Sequence, residues 1–224
     1  MIYYGQAATP TPMCFSTWDE ALKEQMESAV RILEKGGVAA IPTDTLYALS
    51  ACAFNERAVE RVFRLKGRPT GIALPLLLAD ADDIAGCARG IPEVAWTLAQ
   101  RYWPGPLTVV LRKSDAVPYV VTGGMETIAL RVPDHWVPRA IARKLGAPIT
   151  GTSANRSGSR GATSAREVRD DFGDTVDLVV DVGDGSARLP STVLDLTGKQ
   201  PRMVRKGAVS QQEIEDVVGE AVAN

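Results

Sequence analysis

Short apolar runs alternate with amphipathic stretches along almost the whole chain, and no Pro/Gly/Ser-rich linker interrupts the alternation. Runs of strand character lie at residues 38–41, 73–79, 107–111, 127–132, 148–150, 178–182 and 192–196, with 203–205 as a short edge strand. Between them, helical spacing places Leu22, Met26, Ala29, Val30 and Leu33 on one face, and Val59, Val62 and Phe63 on a second helix that starts at Asn55 and ends near Lys66. Further helices are expected at residues 80–88, after Pro92, and at 140–145 before Gly146. Capping patterns at Thr17-Trp18-Asp19-Glu20, Ser164-Ala165-Arg166-Glu167 and Ser210-Gln211-Gln212-Glu213 mark helix starts. Such alternation without an internal repeat predicts one α/β domain over residues 16–224, preceded by an irregular arm at residues 1–15.

Composition narrows the function classes. With 224 residues, 45% hydrophobic and 23% charged, the chain can bury a full core. Its apolar runs are too short to span a bilayer, and the N-terminus lacks a basic start followed by an apolar stretch, so a cytoplasmic location away from membranes is expected. Cys14, Cys52 and Cys87 show no CxxC spacing, which argues against structural zinc and a disulfide framework. His135, the single histidine, reads as a surface or capping residue. A net charge of −2 means that any polyanion must be met by a local cluster of cations.

Two polar motifs supply such a cluster. Lys66-Gly67-Arg68 sets two cations around a glycine where a helical pattern runs out. Cations there complement the helix dipole, and they could equally grip a phosphate chain, the arginine in bidentate fashion. Thr152-Ser153-Ala154-Asn155 follows a strand and carries more donors than one helix cap requires. Pro42-Thr43-Asp44-Thr45-Leu46-Tyr47 reads either as a hydroxyl-bonded turn or as a ligand loop at a strand end. Along 127–131, Thr127, Ala129 and Arg131 share a strand face, and an inward arginine needs a partner: an anionic ligand, or a structural carboxylate such as Asp134. The run 146–153 has phosphate-loop spacing but Thr152 where lysine is required, and with one histidine a Ser-His-acid hydrolase is improbable.

In order and combination these motifs resemble the YrdC-like family of L-threonylcarbamoyladenylate synthases. The resemblance is carried by residues 36–47, by Lys66-Gly67-Arg68-Pro69 and Trp103-Pro104-Gly105-Pro106-Leu107-Thr108, and by Ala129-Leu130-Arg131-Val132-Pro133. It continues through residues 152–158, Pro190-Ser191-Thr192-Val193 and Arg205-Lys206-Gly207. It implies a twisted, mixed open sheet with flanking helices and a concave ligand face. The implied reaction joins L-threonine, bicarbonate and ATP, with Mg2+ on the phosphates, into threonylcarbamoyl-AMP and pyrophosphate. Partner transferase proteins would then use the product to modify tRNA; some relatives are described as binding double-stranded RNA or tRNA, and an RNA-binding module is the alternative. Position by position, Lys66, Arg68, Ser153 and Asn155 match the signature tetrad around the nucleotide, and Thr127, Thr163 and Arg205 match further ATP contacts. Thr45, Arg131 and Ser191 match the L-threonine site, with Tyr47 and Ser153 beside it. The chain departs from the family pattern at Ala48, Ile72, Ala73 and Leu77, which bears on substrate choice and rate, and a paralogue using another amino acid is a second alternative.

Overall fold

The computed structural model describes residues 20–69, 71–183 and 189–223. The arm at 1–15 and the first capping pattern, at Thr17–Asp19, lie outside those residues.

Helix α1 (Glu20–Glu34) buries the face read from its spacing, Met26, Ala29, Val30 and Leu33, and the chain then turns through Gly36 into β1 (Ala39–Ile41). Strand β2 (Ala48–Ser50) returns antiparallel to it. In α2 (Glu56–Lys66), Asn55 caps the start by accepting from the Ala58 N–H, and Val59, Val62 and Phe63 enter the core. Burying each of these contributes roughly 1.5–3 kcal/mol. Gly67, at φ 60°, stops the helix in the left-handed conformation, and that turn launches Arg68 away from the helix axis.

The remaining elements are β3 (Leu76–Leu77), α3 (Ile84–Cys87), α4 (Glu93–Tyr102), β4 (Leu107–Arg112), α5 (Tyr119–Thr122), β5 (Thr127–Arg131), α6 (Trp136–Leu145) and β6 (Ile149–Thr150). They are followed by β7 (Thr152–Ser153), α7 (Ala165–Phe172), β8 (Leu178–Val179), β9 (Thr192–Asp195), β10 (Arg202–Arg205) and α8 (Gln211–Val218). No helix among the described residues is long and apolar enough to cross a membrane.

The mixed, helix-flanked sheet structure that the family resemblance implies is present, with its strands distributed over two sheets. One has the order β7-β2-β1-β8 and the other β10-β9-β4-β5-β3-β6, and both contain parallel and antiparallel pairs. An isolated bridge between Cys52 and Ile149 joins them. The pleat divides the six-stranded sheet by face. Leu107, Val109 and Leu111 of β4 and Ile128 and Leu130 of β5 point into the main core. Their alternates Thr108, Val110, Ala129 and Arg131 face an open cavity.

Some boundaries differ from the sequence reading, each for a local reason. The strand expected at 73–79 narrows to Leu76–Leu77, because Pro75 has no N–H for the ladder and Leu74 donates instead to Val121 O. Residues 152–155, read as a loop, begin with a strand, β7, paired to β2 through Ala48↔Ser153 and Leu49↔Thr152. Helix α6 starts at Trp136 because His135 caps it, its Nδ1 accepting from the Val137 N–H. Ser164 caps α7 as expected, but the Glu167 carboxylate accepts from the N–H and hydroxyl of Thr163. The box at Ser210 and Glu213 is complete in both directions.

Candidate active site

A cavity of about 560 Å³ opens between the outer face of the six-stranded sheet and the β2–β7 edge of the smaller one. It gathers Thr45, Tyr47, Arg68, Arg131, Ser153, Ser191 and Arg205, residues up to 160 positions apart in the chain (205 minus 45). Ala48, Ala73 and Leu77 also line it, so three of the four departures from the family pattern face this space.

Thr43 organises the first loop. Its hydroxyl donates to Leu46 O at 2.6 Å and accepts from the N–H groups of Thr45 and Leu46. The turn and ligand-loop readings of this motif are therefore compatible, since the bonded turn leaves Thr45 facing the cavity. Tyr47 is buried, and that burial pushes its phenol up to about 12.

Lys66 does not reach the cavity. It is 3% exposed and lies behind the wall, where Nζ donates to Ser153 O, Asn155 O and, at 3.2 Å, Asn155 Oδ1. Ser153 Oγ in turn donates to Asn155 Oδ1 at 2.6 Å, and Asn155 Nδ2 donates to Arg156 O and Ser159 O. Lysine and amide thus tie the end of α2 to the loop after β7. Ser153 is presented to the cavity, and Asn155 is committed to the loop itself. Burial, with the Arg68 charge adding to it, pulls the Lys66 ammonium down to about 8.

Arg68 lines the cavity and donates through Nη2 to Ala73 O. Arg205 makes a two-pronged contact with Ser191 O, and its Nη2 also donates to Ser191 Oγ at 2.9 Å. Ser191 Oγ lies 2.9 Å from Thr108 Oγ1. Gly207 lets this corner close: a Cβ there would lie 2.4 Å from both Pro190 O and Thr192 N. Among the described residues no carboxylate pairs with Lys66, Arg68 or Arg205.

Arg131 is different. Its structural carboxylate is Asp44, at 2.5 Å, and not Asp134, which acts on it only through space. Nε donates to Gly105 O at 2.8 Å and Nη1 to Thr45 Oγ1 at 3.2 Å. Burial lowers the guanidinium pKa, and Asp44 opposes that shift.

Thr127 and Thr163 stand apart from the cavity lining. Thr127 begins β5 on the face that carries Ala129 and Arg131. Thr163 lines a smaller cavity of about 110 Å³ behind the Thr43–Tyr47 loop, with Asp44, Asp134 and His135, and its hydroxyl donates to Glu167. Asp44 and Thr108 were not singled out from the sequence. For Thr108 the signal was available, because it breaks the apolar run 107–111 on the face opposite Leu107, Val109 and Leu111. Asp44 gave no comparable signal, since its partner lies 87 residues away.

Comparison with known proteins follows the same outline. The family model Sua5_yciO_yrdC, described as telomere recombination, matches residues 31–207. The chain is 42% identical over 192 residues to a threonylcarbamoyl-AMP synthase of Pyrococcus abyssi, covering 86% of this chain and 56% of that protein. It is 36% identical over 180 residues to a threonylcarbamoyl-AMP synthase of Marinobacter nauticus, covering 80% and 95%. The solved P. abyssi Sua5 complexed with L-threonine superposes with a TM-score of 0.86 at 40% identity, over 89% of this chain and 58% of that one. E. coli YciO superposes at 0.77 with 31% identity, over 86% and 93%. The chain spans a little over half the length of the Pyrococcus and Bacillus subtilis relatives.

Proposed function

The chain belongs to the Sua5/YciO/YrdC family, and from that premise we propose that it is a threonylcarbamoyl-AMP synthase, a nucleotidyltransferase acting on L-threonine, bicarbonate and ATP. The observation that carries this reading is the single cavity lined by Arg68, Arg131 and Arg205 together with the hydroxyls of Thr45, Ser153 and Ser191. Uncompensated guanidinium groups suit a triphosphate, and convergent hydroxyls with the remaining Arg131 donors suit an amino acid.

In this reading the amine of L-threonine and bicarbonate form an N–C bond with loss of water. A carbamate oxygen then attacks the α-phosphorus of ATP, and pyrophosphate leaves. Among the described residues, the side chains facing the cavity include no histidine, cysteine or carboxylate suited to covalent or general-base catalysis. Catalysis then rests on alignment and charge: Arg68 and Arg205 offset the growing negative charge, while Arg131, Thr45 and Ser191 hold the amino acid. Lys66 and Asn155 act through the loop that carries Ser153. Thr127 and Thr163 are proposed as outer ATP contacts. Among the described residues no group of three or more His, Cys, Asp or Glu side chains is placed to hold a metal, so Mg2+ would be carried by phosphate oxygens and water. Downstream transferase proteins would consume the product.

The test is pyrophosphate release from ATP. It is expected only when L-threonine and bicarbonate are both present. Release that ignores L-threonine, or no release, contradicts the proposal.

A further inference from the structure

Of the three guanidinium groups that line the large cavity, those of Arg68, Arg131 and Arg205, only that of Arg131 is matched by a carboxylate among the described residues. The Asp44 and Arg131 side chains are 3% and 7% exposed. Stability does not account for the pair. Asp44 Oδ1 is buried and no group among the described residues hydrogen-bonds it, and a buried ion pair generally does no better than well-packed apolar residues of the same size. Orientation does not account for it either, because Gly105 O and Thr45 Oγ1 already hold Nε and Nη1. What Asp44 changes is charge. It leaves Arg131 with two of its five N–H donors unbonded among the described residues and no net charge to offer.

We infer that Asp44 is a specificity-determining residue, which makes the Arg131 end of the cavity fit a zwitterion and keeps it from competing for the polyanion held by Arg68 and Arg205. This rests on the reading of the cavity as a joint ATP and L-threonine site. A zwitterion carries no net charge, so its carboxylate needs directed donors more than a field. A phosphate chain needs the field. Arg205 lies near enough to act on Arg131 electrostatically, so removing the Asp44 charge would leave two guanidinium groups within range of each other, with only Asp134 among the described residues, acting through space, to offset Arg131. Phosphate would then bind where the amino acid does.

The shape-preserving variant Asp44→Asn tests this by calorimetry. In wild type, pyrophosphate is expected not to compete with L-threonine. In Asp44→Asn, saturating pyrophosphate is expected to raise the apparent L-threonine Kd roughly tenfold or more, with ATP binding unchanged or tighter. An Asp44→Asn protein whose L-threonine binding pyrophosphate still does not affect overturns the inference and leaves the ATP and L-threonine reading intact. A second measurement needs no variant to fold. Between about 50 and 500 mM salt, wild-type L-threonine affinity should change by less than about twofold while ATP affinity falls about tenfold or more. A steep salt loss for L-threonine overturns the inference, whereas a wild type that binds neither ligand overturns the reading beneath it.

Discussion

Lys66 is expected to set an upper pH limit on ligand binding and, with the opposite sign, a lower limit on stability. Its folded pKa of about 8 lies below the ordinary 10.5. Below pH 8 the ammonium is charged in the folded and unfolded chains alike, and the cost of burying it is fully present. As pH rises from about 8 toward 10.5 the folded chain loses the proton first, so that cost lifts and stability rises. Over the same window the positive charge behind Ser153 disappears. Nucleotide affinity is expected to fall by roughly tenfold, as for one charge lost at the edge of a partly buried site. Urea unfolding and ATP titration, each read as the difference between wild type and Lys66→Met across pH 7 to 10, check both signs; parallel profiles for the two proteins would contradict the role. The cation itself was legible in the Lys66-Gly67-Arg68 motif, but its partners were not. The acceptors that hold Lys66 are chain oxygens at Ser153 and Asn155, nearly ninety residues on, and no local pattern announces a carbonyl as a partner.

Most helices were legible because their signals are local, with spacing, a capping side chain and a closing glycine inside one element, although α5 was not read and α6 starts four residues before the run at 140–145. Asn55 and Gly67 bracket α2, and Ser210 with Glu213 opens α8, as read. Most strands were found but not their extents, and β2 was missed and β7 taken for a loop, since a ladder depends on what lies alongside. Pro75 cut β3 short, and Thr152 became a strand only because β2 lies next to it. The loop between β10 and α8 shows how tightly one element can set another. Gly207→Ala would drive a Cβ to 2.4 Å from Pro190 O and Thr192 N, with an expected cost of about 1–3 kcal/mol. Because Ser191 lies between those two residues and accepts from Arg205, weaker binding should accompany the lower denaturation midpoint. A midpoint that does not move would show that the loop can yield at no cost.

At the scale of the whole molecule, two mixed sheets face a common cavity, and the site exists only because both contribute to it. The smaller sheet and its loops bring Thr45, Tyr47 and Ser153; the larger brings Arg131, Ser191 and Arg205; the end of α2 brings Arg68. The single α/β class was readable from the alternation, but the division into two sheets was not, because pairing between β1 and β8 or β4 and β9 spans long stretches of chain. Nor did the sequence distinguish Arg131, neutralised by Asp44, from Arg68 and Arg205, which are not. In the proposed reading this one cavity has a nucleotide half and an amino-acid half. The most direct test is a crossed titration, measuring the Kd of ATP and of L-threonine in Arg68→Ala and in Arg131→Ala. Arg68→Ala should weaken ATP by about 10- to 100-fold and spare L-threonine, and Arg131→Ala should do the reverse. Equal losses for both ligands in both variants would contradict the division.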